Sequence, residues 1–128
     1  MYKEIWNIIY DKLLLNTKFA EVANEEKTAL KSFPACIIYP ANSRHRIADQ
    51  TSFSNNINYK IRIYVQNKNR SVMEQNIREL VDDVITDLKT IPATCDMTYA
   101  DIDVEWWRTE DEQPLRLAEI LISGYVLD

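Results

Sequence analysis

The stretch INYKIRIYVQNKNRSVMEQNIRELVDDVITDLK, residues 57–89, changes its hydrophobic period halfway along. Its first part alternates apolar and polar residues, which is typical of a strand with one buried face. Its second part repeats apolar residues at helical spacing, and Ser71 with Glu74 has the pattern of a capping box. The stretch therefore predicts a strand over 57–66 and an amphipathic helix over 71–89. The apolar positions are Ile57, Tyr59, Ile61, Ile63 and Val65, then Met73, Ile77, Leu80, Val81, Val84, Ile85 and Leu88.

The segments on either side predict the rest of one domain. A helix is predicted over 2–15 and strands over 35–39, 98–108 and 115–127, with a short possible strand over 19–23. The order is helix, strand, strand, long loop, strand, helix, strand, strand. It predicts a single two-layer α+β domain over residues 1–128, in which two main helices pack on a mixed, mostly antiparallel sheet.

A long polar connection over residues 41–56 separates two of the predicted strands. Connections longer than about 12 residues are uncommon in compact domains and are often functional. This loop is therefore the best candidate for a functional surface.

Composition narrows the classes of function. The 128 residues suffice for one hydrophobic core, and a net charge of −5 argues against a general nucleic-acid binder, which would carry a basic stripe. No stretch approaches the roughly 20 apolar residues of a membrane span, and the N-terminus has no signal-peptide pattern. We expect synthesis in the cytosol and reduced thiols at Cys36 and Cys95, with Cys36 packed as a small hydrophobe.

The residues that could carry chemistry do not form a catalytic set. His45, the only histidine, lies between Arg44 and Arg46 and is interpreted as a surface residue, because no nucleophile or orienting acid is tied to it. Phosphate-binding, dinucleotide-binding, nucleophile-elbow and CxxC motifs do not occur in the sequence. The sequence therefore predicts neither an enzyme nor a cofactor.

Three carboxylates alternate with apolar residues along the strand over 98–108. Asp101, Asp103 and Glu105 would share one strand face, where a solvated surface is the favoured interpretation. A site for a hard cation and an acidic wall that repels nucleic acid are the alternatives.

Aromatic and aliphatic residues supply more strand surface than one core needs. Trp106 and Trp107 are adjacent, so their side chains must face opposite sides, and the strand over 115–127 is apolar on both faces. Either another segment covers the second face, or part of that face is a subunit interface.

In this order and spacing the chain resembles the tail terminator, or tail-completion, proteins of long-tailed bacteriophages. The resemblance spans nearly the whole chain and depends on no single diagnostic motif. It is carried by the N-terminal helix and the polar loop together with the segments 33–40, 58–65, 80–88, 105–107 and 116–122.

The resemblance implies a structural protein that forms a ring, typically of six subunits. Such a ring caps the tail tube, ends its polymerisation and joins the tail to the head. The implied partners are further copies of the chain, the major tail tube protein and a head connector or neck protein, with DNA only as passing cargo and no membrane. The implied location is the head-proximal end of the virion tail, after synthesis in the bacterial host cytoplasm.

The candidate residues are hypotheses that follow from ring geometry. Contacts with a neighbouring subunit or the tube are expected at Arg44, Arg46, Ile47 and Phe53, and a subunit interface at Trp107. A lumen-facing role is expected for Asp101, Asp103 and Glu105. The rival hypotheses are another phage neck or head–tail connector protein and, in a different class, a small cytosolic ligand-binding domain or enzyme with a pocket near His45 or Asp101.

Overall fold

The structure is a computed structural model, which describes residues 2–24, 32–40, 44–47, 53–91, 98–108 and 115–127. Within these ranges only the backbone is described for 2–4, 44–47, 53–57, 98–101, 108 and 125–127. The helices are α1 (Tyr2–Leu14) and α2 (Arg70–Leu88). The strands are β1 (Glu21–Ala23), β2 (Ala35–Pro40), β3 (Arg44–Ile47), β4 (Phe53–Gln66), β5 (Thr98–Arg108) and β6 (Leu115–Leu127).

The strands form one mixed sheet in the order β1-β2-β4-β6-β5, with β3 paired to β4. Only the pairing of β1 with β2 is parallel among the strand pairs described. The β4–β6 ladder is the longest among the strand pairs described, and it runs from Ser54 opposite Leu127 to Gln66 opposite Leu115. The predicted α+β class, element order and mostly antiparallel sheet are confirmed.

The core lies between the two helices and one face of the sheet. Tyr59, Ile61, Ile63 and Val65 are buried in it, as the alternation in the sequence predicts. The predicted apolar face of α2 is buried in the same cluster, together with Ile5, Ile9 and Leu13 of α1 and Ala118, Ile120 and Ile122 of β6. Cys36 is fully buried there, and its burial raises the pKa of the thiol, which confirms its prediction as a small hydrophobe. Cys95 lies outside the described residues.

Two predictions about local structure are wrong. Residues 41–56 are not one loop, because β3 and the first residues of β4 form an antiparallel pair within them, from Arg44 opposite Asn56 to Ile47 opposite Phe53. The strand predicted from residue 57 therefore begins at Phe53.

The helix cap is also different from the prediction. Asn69, not Ser71, is the N-cap of α2, and its Oδ1 accepts hydrogen bonds from the backbone N–H groups of Ser71 at 3.0 Å and Val72 at 3.3 Å. Asparagine is as good an N-cap as serine, and the position two residues earlier starts the helix at Arg70.

Candidate functional site

One face of the sheet has no helix packed on it in the described part of the chain. Because side chains alternate along a strand, the residues between the core positions of β4, β6 and β5 face away from α1 and α2. We call this surface the open face. It comprises Lys60, Arg62 and Tyr64 of β4, Leu117, Glu119 and Leu121 of β6, and Asp103, Glu105 and Trp107 of β5.

Strand register places these nine residues in three rows across the sheet. Arg62, Glu119 and Glu105 form the middle row, because Arg62 pairs with Glu119 and Glu119 with Glu105. The row on one side is Lys60, Leu121 and Asp103, and the row on the other is Tyr64, Leu117 and Trp107. The open face is thus basic along β4, mostly apolar along β6 and acidic along β5.

Glu119 is the most buried charged residue on the open face, with 9% of its surface exposed. Arg62 donates from Nε to Glu119 Oε2 at 2.7 Å, and the Tyr39 hydroxyl donates to the same oxygen at 3.1 Å. Lys60 Nζ lies 3.6 Å from Oε1, and the Arg62 guanidinium lies over the Tyr39 ring, 5.0 Å from its centroid. Three neighbours on β2 and β4 thereby compensate the cost of burying the charged Glu119 carboxylate in an apolar strand.

The pKa values of this cluster reflect the competition between burial and pairing. Burial alone would raise the pKa of Glu119, but the hydrogen bond from Arg62, the charge of Lys60 and the Tyr39 hydroxyl together hold it below its ordinary value. Burial would likewise lower the pKa of Arg62, and the bond to Glu119 outweighs it, so that this pKa is raised. Both groups therefore stay charged at neutral pH, which suits a fixed electrostatic feature rather than proton transfer.

The two tryptophans of β5 lie on opposite faces, as predicted. Trp107 is on the open face opposite Leu117 and is 43% exposed, whereas Trp106 is opposite the buried Ala118 and is 41% exposed. Arg116 lies over the Trp106 ring, 5.6 Å from its centroid, and its Nε is 2.9 Å from Glu74 Oε1 on α2. Trp107 has no such cover among the described residues, so it contributes free aromatic surface at the edge of the sheet.

The structure brings the four candidate residues of the polar segment into one hairpin. Arg44, Arg46 and Ile47 belong to β3, and Phe53 is the register partner of Ile47 at the start of β4. We call the paired segments 44–47 and 53–56 the basic hairpin. It continues the sheet beyond β2, which pairs with β4 only from Tyr59 to Tyr64. The hairpin and Trp107 therefore lie on opposite sides of the central β4–β6 pair.

The three candidate acids lie on β5, an edge strand of the sheet. Asp103 and Glu105 are exposed on the open face, and Asp101 pairs with Ser123 after a register shift between Tyr99 and Asp101. Within the described residues no three His, Cys, Asp or Glu side chains are placed to hold a metal ion. A lumen-facing role for these acids stays a prediction.

A second charged cluster joins the turn that follows α1 to the side of α2. Lys18 Nζ lies 2.6 Å from Glu79 Oε1 and 2.9 Å from Asp83 Oδ2, and these two bonds raise the pKa of Lys18. Beside it is an open cleft of about 330 Å³, lined by Lys12, Leu15, Asn16, Asp83, Thr86 and Asp87. A pocket near His45 or Asp101 stays a prediction, because the side chains of both residues lie outside those that the structure describes.

The residues predicted for the site do not include Lys60, Arg62 or Glu119, which form the best-connected charged group on the open face. The sequence did contain part of the information needed to find them. Lys60 and Arg62 occupy polar positions of the alternating strand, and Glu119 interrupts an otherwise apolar strand. What the sequence lacked was the register that puts Arg62 directly opposite Glu119.

In the described ranges, neither helix combines the length and the apolar character needed to cross a bilayer.

Comparison with known proteins gives a fold but no family. No family model matches the sequence, and no curated protein matches it. Among solved structures, the chain is similar to a chain in the virion of a native gene transfer agent particle, with 8% sequence identity and a TM-score of 0.56. That likeness covers 96% of this chain and 94% of the other, so the two share a fold over nearly their whole lengths.

A second likeness is to the type 4 fimbrial biogenesis protein PilO from Pseudomonas aeruginosa. It has 10% identity and a TM-score of 0.44, and it covers 98% of this chain but 68% of PilO. It is too distant to carry an argument.

Proposed function

We propose that this chain is a structural protein of a phage-like particle, and that it forms the ring that caps the tail tube and joins the tail to the head. The observation that carries the proposal is the end-to-end likeness of its fold to a chain of a gene transfer agent virion. The specific position in the tail comes from the resemblance of the sequence to tail terminator proteins. The proposed role is assembly rather than catalysis.

The geometry of the sheet supports a ring. A closed ring needs two different patches on each subunit, because every contact is head to tail. The basic hairpin and the Trp107 edge are such a pair, separated by β4 and β6, or roughly 14 Å at the usual strand spacing of about 4.8 Å. In the proposed ring, which we expect to be a hexamer, the hairpin of one subunit contacts the Trp107 edge of the next.

Charge supports the same arrangement. The hairpin carries Arg44 and Arg46, whereas β5 carries Asp101, Asp103 and Glu105 close to Trp107. Opposite charges on the two patches would orient one subunit against its neighbour and disfavour hairpin-to-hairpin contacts. Acids that remain uncovered would line the lumen, where a negative wall lets DNA pass without binding it.

The similar chain belongs to a whole virion, and its place in that particle is not part of the likeness, so another neck or connector protein is the second candidate. The two candidates differ in where the ring binds. A tail terminator binds the end of a tail tube in the absence of heads, and a head connector binds tail-free heads.

The hairpin is tested by reversing both of its arginines, Arg44→Glu with Arg46→Glu. We expect the double variant to fold normally and to lose capping of tail tubes by at least tenfold, because its contact would become repulsive. Capping is counted as the fraction of tubes with a closed end in electron micrographs. The matched control is Lys68→Glu with Lys89→Glu, which makes the same charge change at two exposed positions outside the hairpin. Equal capping by the two double variants would exclude the hairpin as the contact.

A further inference from the structure

The residues of the open face are arranged in matching positions on either side of β6, and the proposed ring contacts do not account for this arrangement. In the middle row Arg62 and Glu105 lie on either side of Glu119, and in the next row Lys60 and Asp103 lie on either side of Leu121. In the third row Tyr64 and Trp107 lie on either side of Leu117. Each row thus has a basic or phenolic residue on β4 and an acidic or aromatic residue on β5, at equal distances from β6.

We propose that the free protein forms a two-fold dimer in which two open faces pack on each other, with the symmetry axis along β6. A rotation of 180° about that axis places β4 of one copy over β5 of the other, and the rows stay in register. Lys60 then faces Asp103, Arg62 faces Glu105 and Tyr64 faces Trp107 of the second copy. Each contact occurs twice, as an isologous interface requires.

The same charges select this axis over the alternative one. If the axis ran across the strands, β4 would face β4 and β5 would face β5. With that axis through the middle row, Arg62 would face Arg62 and Glu105 would face Glu105, which is unfavourable in a poorly solvated interface. Lys60 would face Tyr64, and Asp103 would face Trp107. Only the axis along β6 brings opposite charges together.

The central strand is suited to lie on the axis. Leu117 and Leu121 are half-buried in the single chain and would meet their own copies. Glu119 would also face its own copy, but its charge is already compensated by Arg62 at 2.7 Å and by Lys60 at 3.6 Å.

The size of the face predicts a weak dimer. Three strands at about 4.8 Å spacing, with the five residues of each strand that span the three rows at about 3.3 Å rise, give roughly 240 Å² per copy, below the size of a standard specific interface. The dimer therefore dissociates on dilution. Because Asp103 and Glu105 cannot face a second copy and a ring lumen at once, it is the form of the chain before assembly.

The test is analytical ultracentrifugation of the purified chain over a range of concentrations. We expect the mass to rise from 15.1 kDa to twice that value with increasing concentration. Asp103→Lys should weaken the dimer at least tenfold, because it places two lysines opposite each other. The matched control, Asp82→Lys, makes the same change at an exposed position on α2 and should leave the dimer unchanged.

A compensating change sharpens the test. Lys60→Glu should also weaken the dimer, and the combination of Lys60→Glu with Asp103→Lys should return its dissociation constant to within about threefold of the original, because the pair is only exchanged. If Lys60→Glu does not fold, since Lys60 also contacts Glu119, the comparison of Asp103→Lys with Asp82→Lys decides. A monomer at every concentration, or equal effects of those two variants, would overturn the dimer. Rings without a dimer would overturn it too, while supporting the proposed function.

Discussion

Glu119 shows how a single carboxylate organises the open face. It occupies a strand position between Ala118 and Ile120, both fully buried, and yet it remains ionised because Arg62, Lys60 and Tyr39 surround its oxygens. A buried charge with satisfied partners is costly to disturb from one side only. The cluster therefore fixes the positions of the basic residues on which the proposed contacts depend.

Neutralising this carboxylate should reveal its effect on stability. We expect Glu119→Gln to lower the free energy of unfolding at pH 7 by about 2 kcal/mol, because a charge-assisted hydrogen bond is lost. The folded-state pKa of Glu119 is below its ordinary value of about 4.3, so its contribution is full above that pH and is lost as the pH falls through the folded-state pKa. In urea titrations below about pH 4, the free energies of unfolding of Glu119→Gln and the unmodified protein should therefore become more similar.

The exposed Glu105 in the same row provides the control. Glu105→Gln should change the free energy of unfolding by no more than about 0.5 kcal/mol, both at pH 7 and below about pH 4. A loss of the same size for both variants would mean that the Glu119 cluster does not stabilise the fold.

At the scale of elements, the long periodic segments were predictable and the short polar ones were not. The strand over 57–66 and the helix over 71–89 follow from periodicity, because both bury one side against the same core. Strand β3, with the sequence RHRI, has no such pattern, and its pairing with the nearby Phe53–Asn56 is a backbone contact that no alternation of apolar residues indicates. The register of the open face is a long-range property.

The start of α2 offers a direct test at this scale. Asn69→Ala should lower the free energy of unfolding by about 1 kcal/mol, because the N–H groups of Ser71 and Val72 lose their acceptor. Ser71→Ala removes the predicted cap instead and should cost much less. Thermal and urea unfolding of the two variants would compare them, and a larger effect at Ser71 would contradict the cap described here.

For the whole molecule, the two proposed assemblies use the same sheet in different ways. The ring uses the basic hairpin and the Trp107 edge, and the dimer uses the open face, which includes Trp107, so one copy does not make both contacts at once. Exchange between a weak dimer and a ring would keep the apolar and charged face covered until a tail tube is available. The sequence alone indicated surplus strand surface at Trp107 and β6, and the topology identified the face to which it belongs.

The central claim is that the chain closes the end of a tail tube. The most direct measurement is electron microscopy of tubes grown from the major tail tube protein with and without the purified chain, in the absence of heads. We expect a ring on the end distal to the tail tip and tubes that stop growing once it is bound. Tubes that keep growing with open ends, or a chain that binds only to isolated heads, would contradict it.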